Sequence, residues 1–171
     1  MKRIIYMVFM NLFHAPVWLL KIARMARPGD NHTMQQRYDY IAEMTRRIIK
    51  RGRVTIKVTG VEHIPEKDGF MLFPNHQGLF DVLALFSTCP KALSVVIKKE
   101  ASGWILVKQV LGATGSLAMD RKDMKDQVRI IGEVTRLVKE GRNFVIFAEG
   151  HRSRKGNEIL DFKSGTFKSA V

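Results

Sequence analysis

After residue 53, short apolar segments alternate along the chain with amphipathic ones. The apolar segments are predicted as β-strands, over residues 54–58, 70–73, 93–97, 116–119 and 144–147. The segments between them are predicted as helices, over residues 79–87, 104–110 and 123–140. Strands that alternate with helices are typical of a mostly parallel sheet that is covered by helices on both faces. The alternation therefore predicts an α/β domain over residues 52–171.

The C-terminal end of this pattern is abrupt. Residues 162–171 have the pattern of the beginning of a helix, and no predicted strand follows them. A parallel sheet needs each crossover to return to a further strand. We therefore expect the α/β domain to be incomplete at its C-terminus, with strands missing.

Residues 1–51 are predicted as N-terminal helices that associate with a membrane. Residues 4–20 form a mostly apolar run that is interrupted by Asn11, His14 and Pro16. A helix that spans a bilayer needs about 20 residues, and Pro16 is expected to kink this one. Because basic residues flank the run at both ends, the positive-inside rule assigns it no direction across the membrane. This favours a segment that lies in one membrane interface. A buried core helix and a secretory signal peptide are the alternatives.

A second N-terminal helix is predicted over residues 34–51, with Gly52 ending it. A cluster of basic residues accompanies its C-terminal end, namely Arg46, Arg47, Lys50, Arg51 and Arg53. Such a cluster is either a solvated face or, beside an apolar N-terminus, a contact for anionic lipid.

The charge of the chain favours an anionic partner. It has 29 Lys and Arg against 16 Asp and Glu, a formal net charge of +13. Nucleic acid, an anionic membrane surface and phosphorylated substrates all fit this charge. No helix-turn-helix, zinc or RNP pattern is present in the sequence, so we expect no nucleic-acid partner. No spacing of His and carboxylates predicts a metal site.

The single cysteine, Cys89, excludes an intrachain disulfide and suits a reducing compartment. It precedes Pro90 in a predicted loop. We expect a bystander thiol there rather than a nucleophile.

The first segment with catalytic character follows the second predicted strand. It contains His76 and, five residues later, Asp81. A neutral imidazole accepts a proton from a hydroxyl near pH 7, and a carboxylate fixes its tautomer. The spacing alone is weak evidence, because His63 and Asp68 in a polar loop are also five residues apart. Only His76 lies between a predicted strand and a predicted helix, where ligands bind in α/β sheets, so we interpret His76 as the base.

Two further polar segments also follow predicted strands. The earlier one ends in Asp120 and Arg121, and the later one contains Glu149, Gly150 and Arg152. Each Arg offers a planar fork of donors that suits a phosphate. Because the strands are predicted to be parallel, all three segments are expected at the same edge of the sheet. Together they predict transfer of an acyl group onto a hydroxyl of a phosphorylated acceptor.

In this order, the three segments resemble the motifs of the glycerolipid acyltransferase family. The family's first motif, Asn-His-x-x-x-x-Asp (HX4D), is matched by Asn75, His76 and Asp81. Its second motif ends an aliphatic stretch with Asp-Arg, as at Asp120 and Arg121. Its third, Phe-Pro-Glu-Gly-Thr-Arg-Ser, is matched by Phe147, Glu149, Gly150, Arg152 and Ser153. Residues 98–100 resemble the Lys/Glu segment that the family carries between its first two motifs, and the resemblance extends from about residue 54 to the C-terminus.

The chain departs from the family pattern at three positions and lacks one motif. Ala148 replaces the usual Pro, His151 replaces Thr, and Gly78 replaces a common Ser. None of these changes removes the base, its Asp or either Arg. The family's fourth, Pro-containing motif has no counterpart before Val171.

The resemblance implies transfer of a fatty acyl group from a thioester to the free hydroxyl of 1-acylglycerol-3-phosphate, giving phosphatidic acid for phospholipid synthesis. It implies His76 and Asp81 as the catalytic residues. The substrate-binding residues that it implies are Asn75, Lys98, Arg121, Glu149, Gly150 and Arg152. Glu149 would orient Arg152 or an acceptor hydroxyl, and the oxyanion donor would be Lys98 or a backbone amide near Gly78.

No cofactor is expected apart from acyl-CoA or acyl carrier protein as the thioester co-substrate. We expect the protein at the cytoplasmic face of the cell membrane, bound peripherally. Glycerol-3-phosphate or a lyso-aminolipid as acceptor, and an inactive membrane-bound remnant, are the alternatives.

Overall fold

The computed structural model describes residues 2–78, 80–153 and 158–170. The N-terminal apolar run forms two helices, α1 (Lys2–Asn11) and α2 (Ala15–Met25), which are bent by 82° relative to each other. Pro16 lies in the first turn of α2, where its missing N–H group has no intrahelical partner to lose. The bend therefore precedes Pro16. Within the described residues no single helix is long and apolar enough to cross a bilayer. The bent pair of α1 and α2 has the length and apolar composition of a span only when both helices are taken together.

Helix α3 (Met34–Arg51) has the predicted bounds and begins at a capping box. The Thr33 hydroxyl accepts the N–H of Gln36 at 3.2 Å, and the Gln36 side chain accepts the N–H of Thr33 at 2.8 Å. These two bonds satisfy backbone donors that the first turn of a helix leaves unpaired.

The C-terminal end of α3 is a Schellman motif. The N–H of Val54 donates to the carbonyl of Ile49, and the N–H of Arg53 donates to that of Lys50. The position after the cap is usually glycine because its backbone is left-handed, but here Arg53 occupies it with a φ of 52°. A non-glycine residue in such a conformation costs about 1–3 kcal/mol.

The remaining elements alternate between strands and helices, as predicted. In chain order they are β1 (Met71–Leu72), α4 (Phe80–Thr88), β2 (Leu93–Lys98), α5 (Ile105–Thr114), β3 (Leu117–Met119), α6 (Met124–Lys139) and β4 (Asn143–Val145). Short 3-10 helices occur at Val61–His63, Lys99–Ala101 and Ser164–Ala170. The predicted helical start near the C-terminus corresponds to the last of these.

The four strands form one parallel sheet in the order β1-β4-β2-β3. Strand β4 lies between β1 and β2, so that Val145 pairs with both Leu72 and Val95. The segments that follow β1 and β4 are therefore neighbours at the carboxyl edge of the sheet. The segment that follows β3 is separated from them by β2.

Helices cover both faces of the sheet, which confirms the α/β prediction. On one face α2, α3, α4 and α5 share a core that includes Ile22, Tyr38, Phe86 and Val95. On the other face α6 packs through Ile130, Val134 and Leu137, with Phe144 and Ile146 beneath them. Residues of α2 and α3 thus belong to the same core as the sheet.

The predicted buried face of α6 is wrong at its N-terminal end. Its apolar spacing predicts a stripe through Met124, Val128, Ile131, Val134 (or Thr135) and Val138. Met124 and Val128 are instead 70% and 68% exposed. With 16 residues the helix is about 24 Å long, whereas β3 and β4 have three residues each and extend about 10 Å. The short strands cannot cover the whole helix.

The strand predicted over residues 54–58 is also absent from the described sheet. This segment is extended but belongs to no strand ladder. Val54 and Ile56 are half-buried and Thr55 and Lys57 are exposed, in the expected alternation. An alternation of buried and exposed residues indicates that one side of a segment is buried. It does not indicate whether a neighbouring strand is available for pairing.

Candidate active site

The catalytic pair predicted from the sequence is formed. His76 follows β1, and Asp81 lies in the first turn of α4, where a carboxylate also interacts favourably with the helix dipole. His76 Nδ1 lies 2.8 Å from Asp81 Oδ2. The same oxygen accepts the backbone N–H groups of Gln77 and Gly78 at 2.7 and 2.9 Å. Leu79, with which the predicted helix begins, lies outside the described residues.

The bond to Asp81 sets the tautomer of His76. An ionised carboxylate only accepts hydrogen bonds, so in the neutral form of His76 the Nδ1 carries the proton and Nε2 has a free lone pair. The imidazole packs on the ring of Phe147, with 4.2 Å between the ring centroids. A base is thereby held in the state needed to accept a proton at Nε2.

Two backbone amides near Gly78, a position expected to supply oxyanion donors, already have a partner. The N–H groups of Gln77 and Gly78 both donate to Asp81 and fix its carboxylate in place. The other candidate donor, Lys98, ends β2 and forms an ion pair with Glu100 at 2.9 Å.

Glu149 has a different position from the one expected of a residue that contacts substrate. It is 1% exposed. One carboxylate oxygen accepts the backbone N–H of His76 at 2.5 Å, and the other accepts the N–H of Leu160 at 3.0 Å. Within the described residues Glu149 has no bond to Arg152, and its contact with an acceptor hydroxyl stays a prediction. Glu149 instead fixes the backbone of the catalytic loop, which is also held by a bond from the Ser153 N–H to the His76 carbonyl at 3.0 Å.

Arg121 reaches the third motif across the width of β2. Its Nη1 donates to the carbonyl of Gly150, and its own carbonyl accepts from Gln127 Nε2 at 3.1 Å. The side chain is half-buried, and this burial lowers the pKa of the guanidinium below its usual value. Within the described residues Gly150 uses one of the five N–H groups of Arg121, which leaves further donors for a ligand.

Lys163 is a cation of this site that the sequence motifs do not identify. Its side chain lies over Gly150, where an added Cβ would come within 2.8 Å of Lys163 Cε and 3.0 Å of Nζ. Gly150 has a φ of 74°, a left-handed conformation that favours glycine. The N–H of Lys163 donates to the Ala148 carbonyl at 2.9 Å. The only signal in the sequence is a Lys shortly after the third motif.

The remaining predicted residues lie at the surface. Asn75, His151 and Arg152 are exposed. Asp120 accepts from Lys99 Nζ at 3.4 Å and from the N–H of Lys122 at 3.0 Å, which is the surface role expected of an Asp-Arg pair taken alone. The structure thus brings together five of the predicted residues, namely His76, Asp81, Arg121, Glu149 and Gly150. Within the described residues no group of three or more His, Cys, Asp or Glu side chains is arranged to hold a metal ion.

The sequence profile of the Acyltransferase family matches residues 55–171. A 1-acyl-sn-glycerol-3-phosphate acyltransferase of Helicobacter pylori is 33% identical over 91 residues, which are 53% of this chain and 38% of that protein. The human 1-acyl-sn-glycerol-3-phosphate acyltransferase alpha is 27% identical over 119 residues, 69% of this chain and 42% of the human one. The chain spans less than half the length of these curated relatives.

The fold is similar to that of a solved structure. The crystal structure of the 1-acyl-sn-glycerophosphate (LPA) acyltransferase from Thermotoga maritima superposes with a TM-score of 0.72 and 20% sequence identity. The superposition covers 99% of this chain and 69% of that one. At this identity the likeness concerns the fold alone.

Proposed function

Because the chain belongs to the acyltransferase family, we propose that it transfers a fatty acyl group from a thioester to the free hydroxyl of 1-acylglycerol-3-phosphate. The product would be phosphatidic acid. The observation that carries the proposal is the bond between His76 Nδ1 and Asp81 Oδ2, which assigns the proton of the neutral imidazole to Nδ1 and leaves Nε2 to act as the base at the carboxyl edge of a parallel sheet. The names of the relatives support the choice of acceptor.

In the proposed mechanism the acceptor hydroxyl attacks the thioester carbonyl while His76 Nε2 takes its proton. Asp81 stabilises the imidazolium that forms, as the acid of a Ser-His-Asp triad does. The tetrahedral intermediate then expels the thiolate, which receives the proton from His76. The imidazole returns to its starting state and no acyl-enzyme forms. The acceptor hydroxyl takes the role that serine has in a triad.

Binding of the acceptor phosphate is assigned to Arg121 and Lys163, with Arg152 as a third cation. Arg121 and Lys163 converge on Gly150, the residue after Glu149, which itself binds the backbone of His76. A phosphate held there is adjacent to the catalytic loop. Holding the acceptor in this way converts binding energy into orientation of its hydroxyl. The thioester is acyl-CoA or an acyl carrier protein, and no cofactor takes part.

We further propose that the protein acts at an anionic membrane surface, on the cytoplasmic face of the cell membrane. The N-terminal helices and the turn between them expose apolar side chains, among them Phe9, Phe13, Val17 and Leu20. Their other side contributes Trp18 and Ile22 to the core. Helices with one face in the core and apolar residues on the outer face suit a membrane interface. The acceptor and the product would be lipids of that membrane.

The substrate assignment is tested by incubating the complete protein with radiolabelled acyl-CoA or acyl carrier protein and a set of acceptors. The set contains 1-acylglycerol-3-phosphate, glycerol-3-phosphate, a lyso-aminolipid and a monoacylglycerol that lacks phosphate. We expect most of the label in phosphatidic acid. The monoacylglycerol should be used at least about tenfold less efficiently, since a lost charge-assisted bond to the phosphate costs about 1.5–3 kcal/mol. Preferential labelling of the monoacylglycerol would contradict the role of the phosphate.

A further inference from the structure

A groove lined with cations lies at the C-terminal end of α3, away from the catalytic pair. Residues 44–61 contain six Lys or Arg residues and no Asp or Glu. The groove consists of two adjoining cavities of about 580 and 570 Å³ that share Lys50 and Arg53. We call it the α3 groove. It reaches Thr88 at the end of α4, which is about 10 Å of helix away from Asp81 in the first turn.

The cations of the α3 groove differ in whether protein groups already bind them. Arg46 and Arg47 both contact Glu43, at 3.1 and 2.8 Å. Arg51 donates to Asn11 Oδ1 at 3.1 Å, and a further nitrogen lies 3.0 Å from a ring nitrogen of His14. For the side chains of Lys50 and Arg53 the described part of the chain provides no hydrogen bond or ion pair. The two cations that both cavities share are therefore the two that remain available to a ligand.

The backbone of Arg53 is a separate indication of a ligand. Lys50 and Arg51 lie in the last turn of α3, where the helix dipole favours cations, so their position alone indicates nothing. Arg53 lies beyond the helix and occupies the left-handed position of the Schellman motif, at a φ of 52°. Glycine would occupy this position without strain. Because glycine would remove this strain, the presence of Arg at position 53 points to a role of its side chain.

One side of the α3 groove is apolar and belongs to α1. Met7 of α1 packs so closely on Gly52 that an added Cβ there would lie 2.2 Å from Met7 Cγ. Tyr6 and Met10 of the same helix line the second cavity together with Lys50 and Arg53. On the outside, α1 exposes Phe9 and other apolar residues. A cationic groove that continues into an exposed apolar helix matches a molecule with a phosphate at one end and hydrocarbon at the other.

We propose that the α3 groove binds the phosphate headgroup of an anionic membrane phospholipid, with Lys50 and Arg53 as its ligands and the acyl chains along α1. Arg53 supplies a planar fork for the phosphate oxygens, and Lys50 supplies a point charge. The site is distinct from the acceptor site at Gly150. The proposal does not rest on the acyl transfer, but it does rest on the proposed attachment of the protein to an anionic membrane surface.

The test measures binding of the full chain to vesicles by flotation. Phosphatidylcholine vesicles that contain about one-fifth phosphatidylglycerol are compared with vesicles of phosphatidylcholine alone. The variant Lys50→Gln/Arg53→Gly removes both proposed ligands. The matched control Lys57→Gln/Lys67→Gln removes the same charge from exposed residues of the neighbouring loop, outside both cavities.

We expect the groove variant to lose about 25-fold in binding to the anionic vesicles, since each cation near the surface contributes about fivefold. The control variant is expected to lose less than about threefold. The groove variant should melt no lower than the parent, because glycine is the preferred residue at position 53. It should also keep its acyl transfer to detergent-dispersed acceptor, which separates a failure of this proposal from a failure of the proposed reaction.

Equal losses in the two variants would mean diffuse attraction to the surface and would overturn the proposal. An unchanged affinity in the groove variant would overturn it as well. A third arm measures the thermal midpoint in about 10 mM inorganic phosphate without vesicles. If phosphate stabilises the parent but not the groove variant, while vesicle binding is the same for both, the groove takes free phosphate and the lipid assignment is wrong.

Discussion

The carboxylate of Glu149 accepts the backbone N–H of His76 at 2.5 Å, although 73 residues separate the two in sequence. The third motif thus fixes the first one through its main chain, and no catalytic side chain takes part in the bond. Strands β1 and β4 are neighbours in the sheet, so the segments that follow them lie close enough for this contact. Both carboxylate oxygens of Glu149 are used, by His76 and by Leu160.

Glu149→Gln should therefore act on the position of the base. An amide has only one oxygen, so its NH₂ group would face one of the two backbone N–H donors. We expect kcat to fall at least about tenfold with little change in the KM for the acceptor, and the free energy of unfolding to fall by about 1–3 kcal/mol. Steady-state kinetics and thermal unfolding measure both, with Glu66→Gln at the surface as control. A raised acceptor KM with unchanged kcat would instead indicate direct contact with substrate.

Arg121→Lys and Lys163→Gln test the proposed phosphate site. The point charge of a Lys cannot reproduce the fork of Arg121, and removal of Lys163 takes away the second cation at Gly150. Each change should lower the catalytic efficiency with a phosphorylated acceptor by about 10- to 150-fold. Arg152→Lys is expected to have a similar effect if the third cation also reaches the phosphate.

The control for these variants is an acceptor that lacks phosphate. Its slow turnover should be nearly indifferent to all three substitutions, because the missing group is the one that the cations bind. Lys125→Gln, at the exposed start of α6, serves as the matched surface substitution. If Arg121 and Lys163 form only surface contacts, worth about 0–1 kcal/mol, efficiency will stay unchanged with either acceptor.

The catalytic pair was predictable because its geometry is local. His76 and Asp81 lie five residues apart across a strand-to-helix turn, so the pattern of elements suffices to place them together. The contact between Arg121 and Gly150 spans 29 residues and crosses β2, and the motifs indicate only a shared sheet edge. The role of Glu149 was not predictable, since a carboxylate in a motif is expected to face substrate and this one faces backbone amides.

The two errors in the predicted fold also concern contacts between residues that are distant in sequence. The buried face of α6 depends on the length of the strands below it, which leaves Met124 and Val128 uncovered. The extended segment at residues 54–58 has the alternation of a strand but no partner in the described sheet. Apolar spacing specifies which side of an element is buried only when the neighbouring surface is long enough and available.

The N-terminal helices should attach the protein to one leaflet without crossing it. The variants Arg3→Cys and Pro28→Cys place a thiol on either side of the bent pair, and the native Cys89 is buried. In sealed cells both introduced thiols should be protected from an impermeant reagent, and both should react after the cells are opened. Reaction of only one of them in sealed cells would show that the helix pair spans the membrane.

Asp81→Asn should remove the tautomer control of His76 while leaving the fold in place. An amide offers its own N–H groups to Nδ1 and so favours the proton at Nε2, the wrong tautomer for a base. The equivalent change in a Ser-His-Asp triad lowers kcat by about 10⁴-fold, and we expect a loss of this order. Thermal unfolding, measured in parallel, should show a loss of about 1–2 kcal/mol from the weakened bonds to Gln77 and Gly78.

The central claim is that His76 is the base, and the most direct measurement compares His76→Ala with His63→Ala. His63 belongs to the other His and Asp pair with the same spacing, but it ends a short 3-10 helix at the surface, beside Glu62. Turnover of radiolabelled acyl donor with 1-acylglycerol-3-phosphate should fall by about 10²–10⁴-fold in the His76 variant and stay at the parent level in the His63 variant. Both variants should bind acceptor and unfold nearly as the parent does. Equal turnover in the two variants, whether retained or lost, would contradict the assignment.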